Sequence, residues 1–159
     1  HDLLSKAVDL GAAHGLTHAV KKKDGWQNLG TYNRYQAEEF GRFVKKLKDT
    51  TEPSGEGNML DNTFAMHGSA SSSFHLSRNY PIISAGGKNL GFANGRYLNF
   101  VGLQQDGSFP GAGVTSDSGW RSKVGEEEPP LANLFVSILQ RLGVETDSFA
   151  GYSGTLERV

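Results

Sequence analysis

The 159-residue chain has the length of one domain, is nearly charge-balanced at a formal net charge of −1, and contains no cysteine. The charge balance excludes broad electrostatic capture of nucleic acid or an anionic membrane, and the missing cysteine excludes disulfides and thiolate ligands while fitting either side of a membrane. No apolar run approaches the ~18 to 20 residues that cross a bilayer, and a chain of this size can bury roughly two thirds of its unfolded surface.

The first chemical signal is His14-Gly15-Leu16-Thr17-His18, where two imidazoles four residues apart share one face of a helix. Lys21-Lys22-Lys23 follows and reads as a solvated turn. Beyond it Tyr32, Tyr35, Phe40, Phe43, Val44 and Leu47 recur close to every 3.6 residues, which predicts an amphipathic helix near 31–48 with a buried stripe. Thr31 is the expected N-cap, and the stretch from Asp49 to Gly57, with Pro53 inside it, ends the element.

Most of the 21 glycines fall in the middle of the chain, where they predict turns and irregular backbone. Two short apolar runs stand out there, Phe64-Ala65-Met66 and Ile82-Ile83. They predict strands near 62–67 and 81–85, interior to a parallel or mixed sheet covered by helices. A polar loop carrying His75 joins them, and ligands in such sheets sit at the carboxyl ends of the strands, here from Gly68 to Arg78 and from Gly86 to Lys88. Asn94-Gly95, between Leu90 to Phe92 and Tyr97 to Val101, predicts a peripheral β-hairpin. A closing helix near 130–142 follows Pro129-Pro130, with Leu131, Leu134, Phe135, Ile138, Leu139 and Leu142 as its apolar face and Gly143 just beyond its end. Glu126-Glu127-Glu128 precedes that helix, where negative charge favours the dipole. The order of elements reads as an α/β fold.

Several signals for chemistry are incomplete. Gly86-Gly87 and Gly111-Ala112-Gly113 lack the lysine and following helix of a phosphate loop. Ser69, Ser71, Ser72 and Ser73 have no recognisable base and orienting acid. His67, at the end of an apolar strand, is expected in the core, and Asp61 and Asn62 are expected to shape the turn into that strand.

The segment from His14 to Ala19 resembles the naming motif, His-x-x-Ser-His-His, of the secreted bacterial HxxSHH-domain family, which has no assigned function. The resemblance extends in order through Leu60-Asp61-Asn62-Thr63, Gly68-Ser69, the stretch from Tyr80 to Gly87, Gly95-Arg96-Tyr97-Leu98, Pro130-Leu131-Ala132-Asn133-Leu134, Gly143-Val144 and Asp147-Ser148-Phe149. It covers about residues 10–155. Thr17 replaces the motif's serine and Ala19 its third histidine. The family in turn is similar to the alkaline phosphatase and sulfatase superfamily. That likeness implies a partial alkaline-phosphatase-like mixed sheet flanked by helices, with residues 1–159 as the C-terminal portion of a larger domain and a periplasmic or secreted location. The few strands of the proposed sheet and its abrupt start also predict extensive packing against upstream polypeptide or a partner protein chain.

In that superfamily an Asn-Thr strand runs into a Ser-Asp-His-Gly loop that supplies metal ligands. Aligned on Asn62-Thr63, the loop falls on Gly68-Ser69-Ala70-Ser71, where neither aspartate nor histidine is present. Serine and alanine do not hold the ions of a di-metal hydrolase. One reading is therefore an extracytoplasmic binding or assembly protein on a hydrolase-like scaffold with an eroded metal site. The other is a metal-dependent phosphate- or sulfate-ester hydrolase in which His14, His18 and His75 hold a divalent ion such as zinc. Against the metal site stands the plainer expectation that His14 and His18 lie close together but hydrogen-bond to backbone or carboxylates, with His75 too distant to join them.

Overall fold

The computed structural model describes residues 9–69, 80–98 and 129–156. A short helix, α1 (Ala13–His18), leads through the lysine turn into a long one, α2 (Gly25–Asp49). A 3-10 turn (Met59–Asn62) feeds strand β1 (Phe64–Gly68), which pairs with β2 (Ile82–Gly86). A second 3-10 turn (Lys88–Leu90) follows, then helix α3 (Leu131–Arg141) and the short strands β3 (Ser148–Phe149) and β4 (Tyr152–Ser153). Helices and small antiparallel sheets thus combine in an α/β chain.

The long helix starts six residues before its expected cap. Asp24, at φ 58°, turns the chain straight from α1 into α2, and no side chain caps the start. Gly25 makes this turn possible, because a Cβ there would lie 1.8 Å from the Ala19 carbonyl oxygen. Thr31 is therefore inside the helix, where its hydroxyl donates to the Gln27 carbonyl (3.0 Å), a local bond open to any helical threonine. Of the predicted stripe, Tyr32, Tyr35, Phe40, Val44 and Leu47 are half-buried, while Phe43 is exposed. The stripe is narrower and shallower than its periodicity suggests. The solvent side carries Arg34–Glu38, Arg42–Glu39 and Lys45–Asp49 ion pairs.

The sheet departs from the expected parallel or mixed arrangement. β1 and β2 pair antiparallel, with Phe64 opposite Gly86, Ala65 opposite Ala85 and Met66 opposite Ser84. Among the described residues this sheet has two strands, and only Ala65 in it is buried while Met66 and Ile83 face solvent. A short apolar run does not by itself distinguish an interior strand from a half-exposed ribbon. Here the ribbon meets one aromatic ring on each face, Phe40 of α2 on His67 at 5.4 Å between ring centroids and Phe92 on Phe64 at 4.0 Å.

The hairpin expected around Asn94-Gly95 also takes another form. Lys88–Leu90 is a 3-10 turn rather than a strand, and Asn94 donates its amide back to the Gly86 carbonyl (3.0 Å). Tyr97 and Leu98 are not in a strand, and the remainder of the second arm lies outside the described residues. A two-residue hairpin does form near the C-terminus, between β3 and β4, where Ala150 and Gly151 both have positive φ (51° and 82°), as a type I′ turn requires.

The tightest packing gathers around α3. Leu134, Val136 and Ser137 are buried, and Val136 is fully enclosed. Val136 lies outside the predicted apolar face and is buried, while Leu142, inside it, is exposed; the segment after the helix folds back onto it. Phe135 packs on Phe149, and Ser137 both donates to the Leu156 carbonyl (3.2 Å) and accepts from the Leu156 N–H (2.7 Å). The helix ends as expected at Gly143: its N–H bonds the Gln140 carbonyl and the Val144 N–H bonds the Leu139 carbonyl, the two bonds of a Schellman motif. The acidic run from Glu126 to Glu128 lies outside the described residues.

Candidate functional site

α1 presents His14 and His18 to solvent on one side and buries Leu16 on the other. This division follows from helical geometry, since residues four apart align and a residue midway between them points away. Thr17 tightens the turn by donating its hydroxyl to the His14 carbonyl (2.7 Å). The two Nε2 atoms are 3.1 Å apart, and the rings meet edge to face with centroids 4.7 Å apart. A hydrogen bond at that distance requires one imidazole to donate and the other to accept. The expected proximity is present, and the two rings share a hydrogen bond with each other.

The third expected ligand, His75, lies outside the described residues, as do Ser71, Ser72, Ser73 and Gly111 to Gly113. Among the described residues, no three histidine, aspartate or glutamate side chains converge to hold an ion. His67 is half-buried under Phe40 rather than enclosed in a core.

The carboxyl end of β2 opens onto a groove of about 500 Å³ lined by Leu60, Asp61, Ala85, Lys88, Phe92 and Asn94. Gly86, which lines it, and the adjacent Gly87 both have positive φ, 85° and 68°. A Cβ on Gly86 would lie 2.3 Å from the Thr63 carbonyl oxygen, and one on Gly87 would lie 2.5 Å from the Phe92 ring. The polar groups at its edge have structural work. Asp61 accepts from the Asn58 N–H while Asn58 accepts from the Leu60 N–H, completing a capping box. Asn62 donates its side-chain amide to the Glu52 carboxylate and accepts from the Asn89 amide, both at 2.9 Å. Asp61 and Asn62 thus shape the strand entrance, as their place before it suggests. Gly86-Gly87 leads into a 3-10 turn and not an α-helix, so it does not build a phosphate loop.

Sequence reasoning missed Phe92 and Arg141. Phe92 is buried and stacks on Phe64 with centroids 4.0 Å apart, and the Arg141 guanidinium sits 5.2 Å over its ring while donating to the Gly91 carbonyl. These contacts tie α3 to the groove. A lone phenylalanine among glycines carries no periodic signal, so only the fold reveals it. No helix among the described residues is long and apolar enough to cross a membrane. No protein-family model matches the chain, and no curated protein and no solved structure matches it.

Proposed function

We propose that this chain is a binding or assembly module of the HxxSHH-domain type, acting outside the cytoplasm on an alkaline-phosphatase-like scaffold whose metal site has eroded. The observation that carries this reading is the apolar surface left in solvent: Trp26 is 67% exposed, Ile83 56% and Tyr97 87%. Exposed apolar side chains of this size, one on α2, one on β2 and one in the loop after Asn94-Gly95, suit surfaces that close against more polypeptide, either upstream sequence or a partner chain. Family membership is supported by the ordered run of motif segments from His14 to Phe149. The erosion is supported by Gly68-Ser69-Ala70-Ser71, which has no carboxylate or imidazole where the superfamily's metal-binding loop would stand.

A second reading, a metal-dependent phosphate- or sulfate-ester hydrolase using His14, His18 and His75, is favoured by one observation, the 3.1 Å approach of the His14 and His18 Nε2 atoms. A single assay separates the two. The protein is incubated with p-nitrophenyl phosphate and p-nitrophenyl sulfate, with and without added zinc or manganese. The binding-module reading expects no turnover above the buffer rate; metal-dependent turnover that His14→Ala abolishes would replace it with the hydrolase reading.

A further inference from the structure

We propose that His14 and His18 form a two-imidazole chelate for a divalent transition-metal ion on the outer face of α1. With metal–nitrogen bonds of about 2.0 to 2.1 Å, nitrogens 3.1 Å apart subtend about 95 to 102° at a shared ion. That angle falls between the octahedral cis and tetrahedral values; binding breaks the ring-to-ring hydrogen bond and moves the donor ring's proton from Nε2 to Nδ1, which leaves a lone pair on both Nε2 atoms for the shared ion. The backbone that carries them is already set. Leu16 is buried on the opposite side of the turn, Thr17 bonds back to His14, and the Ala19 carbonyl rests against Gly25 of α2. Fixing the backbone beneath both donors in advance removes part of the ordering cost of binding.

Two neutral nitrogen donors select copper, nickel and zinc over magnesium and calcium, which require oxygen ligands. Because both rings are exposed, the remaining coordination positions are open to water or to a donor from another molecule. The site needs neither His75 nor hydrolytic chemistry, but it shares His14 and His18 with the hydrolase reading; metal binding without turnover of either p-nitrophenyl ester would keep the chelate and exclude that reading, whereas no metal binding would remove both.

The test is isothermal titration of the full chain with nickel and zinc chlorides, using His14→Ala, His18→Ala and the double variant. A chelate predicts one ion per chain, an affinity loss of at least about tenfold in either single variant, and little further loss in the double variant, because one imidazole alone no longer chelates. Single variants within threefold of the parent, or loss of affinity in only one of them, would overturn the proposal. Imidazole ring resonances of the unaltered protein supply a second readout that does not depend on the variants. Those of His14 and His18 should shift together at the lowest zinc concentration, whereas earlier shifts at other histidines would also overturn it.

Discussion

Helices α2 and α3 meet opposite problems. α2 runs for 25 residues and buries fully only Gly25, whereas α3 runs for 11 and buries Leu134, Val136 and Ser137. The longer helix makes shallow contacts along its stripe and carries ion pairs at i,i+3 and i,i+4 on its wet side, each worth only a few tenths of a kcal/mol. The shorter one is wrapped by its own C-terminal extension, through Phe149 and Leu156, and gripped by Arg141 at Gly91. Helix length and contribution to the core are therefore separate quantities.

This contrast breaks if substitutions in the two helices cost the same. Leu134→Ala should destabilise the chain by about 2 to 4 kcal/mol, the usual cost of emptying a well-packed leucine site. Phe43→Ala, at a side chain 52% exposed in α2, should stay within about 0.5 kcal/mol. Urea unfolding followed by circular dichroism measures both, and equal midpoints would refute the division. The one fully buried position of α2 provides the next largest effect. Gly25→Ala forces a Cβ against the Ala19 carbonyl, where the gap is 1.8 Å, and the required shift should cost about 1 to 3 kcal/mol. Trp26 emission, one residue away, should report the displaced junction. An unchanged spectrum and stability would mean that α1 does not rest on α2.

The wrap of α3 can be tested separately. Ser137→Ala removes both hydrogen bonds to Leu156 and should cost about 1 kcal/mol, with up to ~3 kcal/mol where the Leu156 N–H stays buried without a partner. Hydrogen exchange at the Leu156 amide should accelerate while exchange at the centre of α2 stays constant. Equal acceleration at both places would show that the two regions open as one unit.

How much of this was legible in the sequence depended on whether the signal was local. The two main helices, the strand segments and the Schellman stop at Gly143 follow from periodicity and backbone preference, which act within a few residues. The closeness of His14 and His18 follows for the same reason, from a spacing of four. The start of α2 was misplaced because Thr31 looks like a cap, yet the real start depends on Gly25 fitting against a carbonyl six residues earlier. The antiparallel pairing of β1 and β2, the burial of Val136 and the stack of Phe64, Phe92 and Arg141 depend on contacts between distant segments, for which one sequence holds no pattern. The same holds for the groove beside Lys88, whose glycines were visible but whose walls were not.

The smallest expected effect concerns the charged side of α2. Arg42 donates to Glu39, and that hydrogen bond holds the Glu39 carboxyl below its ordinary value of 4.5 while raising the guanidinium above its own. A carboxyl whose pKa is lower folded than unfolded binds its proton more weakly in the native state. Its contribution to stability is therefore present in full above the unfolded value and disappears as the pH falls through the lower, folded value. Glu39→Gln should slightly lower the thermal midpoint at pH 7, and the difference from the parent should close in the acid range below 4.5. Because the pair is exposed on the surface of α2, about 1 M salt should close most of the same gap at pH 7. If the difference persists at low pH or in salt, Glu39 stabilises α2 by packing rather than charge, and the ion pairs would not account for how a helix with so little buried surface holds its shape.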